Sequence, residues 1–384
     1  MSKVLIKNGI LYTMSAIGNL KGDLLIENGK IREISENIKC DNADKIIDAD
    51  GLNVLPGIVD AHTHLGVMDY NHFPPMNDDG NDMTSTNTPA LKAIYGVDPS
   101  VKDFKRAYTH GITSVVITEG SGNVINGWAF ATKTYGNDIF DMVMRNPCAV
   151  KVALGGSPKK YHAWFNQAPF TRMGTAAAFR RTLLKARKYL NDKKEGKDSK
   201  YDRELEALLP VLRREVPFKI HCTQYDMMTS IDICKEFNVR FSLDHAWGAT
   251  DYIDEIVESG CYICYGPIGT RRADGEYRKS DIEALKTLDE KGVICSVITD
   301  APIFSSEAIF HYLGEAVREG LDINRALRMI TINPAIIAGI DDRVGSLEVG
   351  KDADIAIFDG IPSLDTRAKT VYTLSEGLII YEAR

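Results

Sequence analysis

Between residues 55 and 301 short apolar runs alternate with helical stretches, and this alternation constrains the fold more than any other feature. The runs read "LPGIVDAH", "TSVVITEG", "CAVKVALGG", "PFKIHCTQ", "VRFSLDHA", "CYICYGP" and "VICSVITDA". Segments such as Asp202–Arg214, Asp226–Phe237 and Asp281–Lys291 lie between them. Strands that alternate with helices argue for a parallel sheet covered on its outer face. A further strand candidate at "WAFATKTYG" brings the number to eight. Eight βα units over roughly 280 residues predict an α/β fold of the (β/α)8 TIM-like barrel type.

The two ends of the chain have a different texture. The first fifty residues are β-type runs punctuated by glycine: "KVLIKNG", "ILYTM", "GDLLIENGK", "IREISE", "KIIDADG". Asn8-Gly9 and Asn28-Gly29 are dipeptides that favour hairpin turns. The far end repeats the pattern in "GSLEVGKDADIAIFDG" and "AKTVYTLSEGLIIYEA". Neither end is long enough to be a domain alone. The expected organisation is therefore a small β-sandwich domain built from residues 1–56 and 341–384, with the barrel of residues 57–340 inserted between its parts.

Composition narrows the function. Of 384 residues 44% are hydrophobic and 26% charged, an ordinary globular balance. A net charge of −7 argues against nucleic acid or an anionic membrane as partner. No run approaches the roughly 18 apolar residues of a membrane span, and the start lacks a signal-peptide core. Seven cysteines, an odd number mostly in apolar runs, read as buried free thiols in a reducing cytoplasm. Cys261 and Cys264 form a CxxC with no second pair, which speaks against zinc or redox work there. A small-molecule substrate is the expected partner, and a homo-oligomer stays open. Two long loops, residues 66–95 and 155–200, have the length of functional lids, while the charge run "NDKKEGKDSKYDR" is expected to be solvated surface.

In barrels of this type the site lies at the C-terminal ends of the strands. The first run, within "GIVDAHTHLG", places His62 and His64 one residue apart, so on a strand both imidazoles leave one face about 7 Å apart. "PFKIH" delivers His221, "RFSLDH" delivers His245 and "VICSVITD" delivers Asp300. Four of the eight histidines thus fall at strand ends with one aspartate, a set suited to a divalent ion. Separate, satisfied core polar residues are the plainer reading, and it loses ground with each residue that falls in register. Lys151 sits between valines in "AVKVAL". A buried, unpaired ammonium is costly, so its amine should be a nucleophile able to capture CO2 as a carbamate that bridges two cations. The alternative is a lysine ion-paired to a nearby carboxylate. Lys133 in "ATKTYG" is a rival for the same role.

The pattern "DAHTH … K … H … H … D", framed by β segments, resembles the amidohydrolase superfamily over nearly the whole chain. The tail "TINPAIIAGIDDRVGSLEVGKDADIAIFDG" is typical of it. Within the superfamily the chain is most similar to the imidazolonepropionase-related branch, which includes prolidase-like peptidases. The resemblance implies that His62, His64 and Asp300 hold a first metal, and that carbamylated Lys151 bridges to a second held by His221 and His245. It implies zinc or another divalent ion, one or two per chain. A metal-bound hydroxide would then attack the carbonyl of a cyclic amide or a small acylated or dipeptide substrate, with Asp300 as general base. Two departures stand out. Deaminases and imidazolonepropionase carry a glutamate three residues after the fifth-strand histidine, where this chain has Gln224. Relatives often read "ALGENPK" where this chain reads "ALGGSPK", so Gly156 lacks a carboxylate.

After the fourth strand Lys159, Tyr161 and His162 are candidates for substrate binding, as are Arg271 and Arg272 in "YGPIGTRRADG". Tyr225 and Trp128 are candidates to line the pocket. A mononuclear deaminase or imidazolonepropionase-like hydrolase is the alternative within the same class, weakened by Gln224. A catalytically inactive scaffold is the alternative of another class, and the full ligand set argues against it.

Overall fold

The structure is a computed structural model that describes residues 3–68, 79–197, 200–268 and 278–383. Two eight-stranded sheets organise it. The first is built from both ends of the chain. Strands β1 (Lys3–Tyr12), β2 (Asn19–Glu27), β3 (Lys30–Ser35), β4 (Lys45–Asp48) and β5 (Asn53–Pro56) come from the N-terminal part. The last three strands of the chain, numbered below, complete it.

The second sheet is the barrel wall. Its strands are β6 (Ile58–Thr63), β7 (Ile112–Ile117), β8 (Ile125–Lys133), β9 (Val143–Ala153), β10 (Phe218–Cys222), β11 (Phe241–His245), β12 (Tyr262–Tyr265) and β13 (Cys295–Val297), neighbours in chain order. Strands β14 (Ile355–Phe358), β15 (Thr370–Ser375) and β16 (Leu378–Glu382) then return to the first sheet. There β14 pairs antiparallel with β5, Ile355 facing Pro56 and Ile357 facing Val54. The ends of the chain therefore meet in one hydrogen-bonded sheet rather than in two packed ones. It packs on an apolar cluster that includes Ile6, Leu24, Ile47, Val54, Ile355 and Leu374, while Leu5, Leu25 and Ile38 form a smaller separate one.

Two local expectations separate here. Asn28-Gly29 turns the chain between β2 and β3 with φ of 53° and 78°, the left-handed pair that a tight hairpin requires. Asn8-Gly9, with the same residue types, makes no turn. It lies inside β1, where Asn8 has φ of 61° and the pairing with β2 shifts register between Ile6 and Gly9. That is a β-bulge, and it lets one long strand serve β4 with its first half and β5 with its second.

The barrel departs from eight equal βα units at one place. Strand β8, which contains the run "WAFATK", lies antiparallel to both β7 and β9. Residues 118–124 alone separate β7 from β8. A parallel neighbour needs a crossover of about a dozen residues or more, so this connection can only fold back. The remaining neighbours, β6 with β7 and β9 through β13, are parallel. The seam between β6 and β13 is closed at both ends. Val59 and Val297 donate to the carbonyls of Ile330 and Met329, while Asp300 N–H donates to His62 and His64 N–H to Ala301.

The direction of β8 decides the fate of Lys133. It sits at the end of a reversed strand, on the rim opposite the strand ends that carry the histidines. Its Nζ lies 3.0 Å from Asp352 and 2.8 Å from Asp354, so it ties the barrel to the terminal sheet. Among the described residues no helix is long and apolar enough to cross a membrane. All seven cysteines are free thiols, six of them buried.

Candidate metal centre

Six side chains named above meet at the C-terminal mouth of the barrel. His62 and His64 stand edge to face, ring centroids 5.2 Å apart. The His245 ring is 5.1 Å from that of His62 and 4.4 Å from that of His221. Lys151 Nζ lies 3.1 Å from His62 Nε2. Asp300 Oδ1 is 3.1 Å from His64 Nε2 and 3.5 Å from His62 Nε2. The possible ligand atoms of His62, His64 and Asp300 all lie within 4.8 Å of one another, a group that could hold a divalent ion.

Backbone geometry is unusual where β11 and β13 end. Asp300 has φ of 62°, and His245 and Ala246 have 71° and 50°. Non-glycine residues pay for such conformations and keep them where surrounding structure enforces them, commonly at functional sites. At His245 the twist breaks the strict alternation of β11, so Asp244 and His245 both take part in the cluster.

The hydrogen bonds around the rings suit metal ligation. His64 Nδ1 lies 2.7 Å from the Thr118 carbonyl and His245 Nδ1 2.8 Å from the Gly266 carbonyl. A carbonyl only accepts, so the proton sits on Nδ1 and each Nε2 lone pair is left for the cluster. His62 Nδ1 is 2.6 Å from Asp244 Oδ2, the carboxylate–imidazole pairing that fixes ring orientation and raises ligand basicity. Burial, with the neighbouring Lys151, holds His62 well below the usual imidazole range. Burial and His221 together bring His245 down to about 3. Neutral imidazoles are what a metal needs.

Lys151 is fully buried, and among the described residues no carboxylate lies within ion-pair distance of it. Burial lowers its pKa to about 8. Lys219, two strand positions from His221, is buried too, but Asp244 Oδ2 is 2.9 Å away. Burial works against its charge, and Asp244 more than offsets that, holding the amine above its ordinary range.

The substrate-binding candidates scatter around the rim. Lys159, Tyr161 and His162 ride on the helix Gly156–Trp164 that follows β9. Tyr161 packs edge-on against Trp164, while His162 is buried in the helix's inner face. Tyr225 is half-exposed under the Arg172 guanidinium, 4.9 Å from its ring centroid. Trp128 donates to the Ala207 carbonyl and carries the Lys92 ammonium over its ring. Gln224 is buried, with φ of 52° and its N–H on the Trp247 carbonyl. Arg271 and Arg272 lie outside the described residues.

Three acidic residues were not singled out from sequence. Asp60 accepts from the Thr299 hydroxyl and N–H, pinning β6 to the segment before Asp300. Asp244 orients His62. Glu119 is buried at the end of β7, next to the Thr118 carbonyl that holds His64. It closes the run "TSVVITEG", so the strand-end rule that found the histidines reaches it as well.

A cluster of this kind lies where barrels of this type carry their active sites, which makes the chain a barrel enzyme by its architecture. Residues 188–381 match the amidohydrolase family, and the chain belongs to that family, whose members are hydrolases acting on carbon–nitrogen bonds. A solved amidohydrolase from Thermotoga maritima is 31% identical, covering 99% of this chain and 100% of that one, with a TM-score of 0.93. An imidazolonepropionase from Picrophilus torridus is 26% identical over 98% of this chain and 96% of its own. Amidohydrolase tasK from Hapsidospora irregularis is 27% identical over 89% of this chain, and the match spans only 38% of that larger protein.

Proposed function

We propose that this chain is a metal-dependent amidohydrolase that cleaves the amide bond of a cyclic amide or of a small acylated or dipeptide substrate. The observation that carries the reading is the orientation of the imidazoles: Nδ1 of His62, His64 and His245 is held from behind, with Nε2 of His62 and of His64 toward Asp300 and that of His62 toward Lys151 as well. His62, His64 and Asp300 would hold one divalent ion, zinc or a similar metal. Lys151, with His221 and His245, would hold a second. A divalent ion in this position supplies a water that ionises near neutral pH and polarises the scissile carbonyl.

The chain's own residues do the rest. Lys151, its amine pKa lowered by burial, would react with CO2: a bond forms from Nζ to carbon, Nζ gives up a proton to solvent, and the carbamate would supply oxygen ligands to the cluster. Asp300 would be kept ionised by the divalent ion it helps to hold, since imidazoles protonated on Nδ1 present only a lone pair to its Oδ1. Its Oδ1 can take a proton from the attacking water and return it to the leaving nitrogen. Asp244 and the Thr118 and Gly266 carbonyls keep the rings from turning. A one-ion version would use His62, His64 and Asp300 alone, the three whose atoms already lie within 4.8 Å. Gln224 cannot shuttle a proton, which disfavours the deaminase reading.

Metal analysis with an amide-substrate screen tests this. One to two equivalents of a divalent ion per chain are expected, and His62→Ala should lose metal and activity together. Fully active protein free of metal overturns it.

A further inference from the structure

Beside the metal centre lies a recess of about 290 Å³ whose lining includes Val67, Asp79, Asp82, Lys92, Arg203 and Glu119. It forms because the residues after His64 and the segment 79–96 fold over the ends of β7 and β8. Gly120 N–H donates to the Gly80 carbonyl, Gly122 N–H to Asn81, and Trp128 N–H to the Leu91 carbonyl. The first residues of β8 thus pair with this covering segment, at the bridges Asn87–Ile125 and Lys92–Trp128, while β7 pairs only with the later part of β8. Glu119 sits in the fork between them.

Its carboxylate is incompletely satisfied. Oε2 accepts from Gly127 N–H at 3.3 Å, whereas Oε1 is buried with no hydrogen-bond partner among the described residues. The side chain as a whole is 6% exposed. Gly127 makes room for it: a Cβ there would stand 2.4 Å from Oε1 and 2.4 Å from the Leu91 carbonyl. Burial raises this carboxyl to about 7, more than the backbone N–H groups and the more distant Lys151 charge lower it, and Oε1 is left without a donor among the described residues. Among the described residues the lining of the recess holds three carboxylates, Asp79, Asp82 and Glu119, against two cations, Lys92 and Arg203. Lys92 is already engaged over the Trp128 ring, 4.6 Å from its centroid. An unpaired buried acceptor beside excess acidic charge is relieved by a cationic donor.

We propose that this recess is a subsite for a cationic amino group of the substrate, received by Glu119. The proposal rests on the hydrolase reading above and sharpens it: the preferred amide carries a free primary amine within a few bonds of the carbonyl. Glu119 lies next to the residue that holds His64, and Val67 follows His64 by three residues, so amine and carbonyl are addressed from neighbouring positions.

The test is calorimetric titration of the metal-replete protein with alaninamide, cationic at neutral pH, and with N-acetylalaninamide, its neutral twin. The wild type should favour the amine by about tenfold or more, the worth of one charge-assisted hydrogen bond. Glu119→Gln should bind the two alike with its metal content unchanged. A wild type without the preference, or a Glu119→Gln variant that keeps it, overturns the subsite. If Glu119→Gln does not fold, Glu119→Asp takes its place and must lower the preference. Titration needs no turnover. An intact preference without hydrolysis therefore counts against the hydrolase reading alone, and hydrolysis without the preference counts against the subsite alone.

Discussion

Lys133 and Lys151 sit in neighbouring strands, are buried almost equally, and were candidates for the same role. Their surroundings separate them. Lys133 ends a strand that runs backwards and meets two carboxylates, Asp352 and Asp354, at ion-pair distance. Lys151 lies in a strand that points toward the barrel mouth, and its nearest polar neighbour is the His62 imidazole. A buried ammonium between two carboxylates keeps its charge and holds parts together. One facing imidazoles, with carboxylates only at longer range, holds its charge less firmly, and burial moves it toward the amine. Burial makes a lysine unusual; the partners decide whether the result is a strut or a reagent.

The comparison breaks most directly at Lys151. Lys151→Ala should lower turnover by about a thousandfold or more, because an ion contributing several kcal/mol leaves with the bridge. Metal analysis should show one ion fewer per chain, and small carboxylic acids should restore part of the rate. Unchanged metal content with a loss of stability alone would make Lys151 a second strut. Asp300→Asn comes next. It preserves shape while removing the proton acceptor, so a loss of at least about a hundredfold is expected. Near-normal turnover with metal retained would take the proton-transfer role away from it.

Much of the centre was legible because it obeys one rule, that a parallel strand presents its last residues to the site. His62, His64, His221, His245 and Asp300 each follow from reading where an apolar run ends, and Lys151 from a charge set between valines inside one. What escaped depends on facts that a run by itself does not carry. The reversal of β8 is written in the distance between two strands, residues 118–124, rather than in either strand. Asp244 escaped because alternation sends it and His245 to opposite faces, and only the left-handed φ of His245 reconciles them. The bulge at Asn8-Gly9 has the composition of a hairpin turn, and the strands on both sides of it decide otherwise. Pairing between the two ends of the chain was readable as texture, but the single sheet emerged only from β14 docking on β5.

From the other side, the comparison is tested at Lys133. Lys133→Met should cost about 3–5 kcal/mol in unfolding free energy, since two buried carboxylates lose their shared cation. Chemical denaturation would read this. Activity per folded molecule and metal content should stay as they are, because Lys133 stands on the rim opposite the metal centre. A large loss of metal in this variant would mean the two rims are coupled and the distinction between strut and reagent fails.

The smallest effect separates burial from mere pairing at one carboxylate. Asp352 accepts three cations: Lys133 from the barrel, Lys30 from β3, and Arg343 from the segment before β14. The Lys30 side chain is 52% exposed and the Lys133 side chain 6%. Water already solvates Lys30 and would replace much of what it gives, and Arg343 remains on the same carboxylate in its absence. Lys30→Ala should therefore cost less than about 1 kcal/mol, the range of exposed pairs. The remainder of its effect should fade in high salt, where exposed charges are screened. If Lys30→Ala proved as costly as Lys133→Met, Asp352 would depend on its total number of cations rather than on the buried one, and Lys133 would lose its special place in joining the barrel to the terminal sheet.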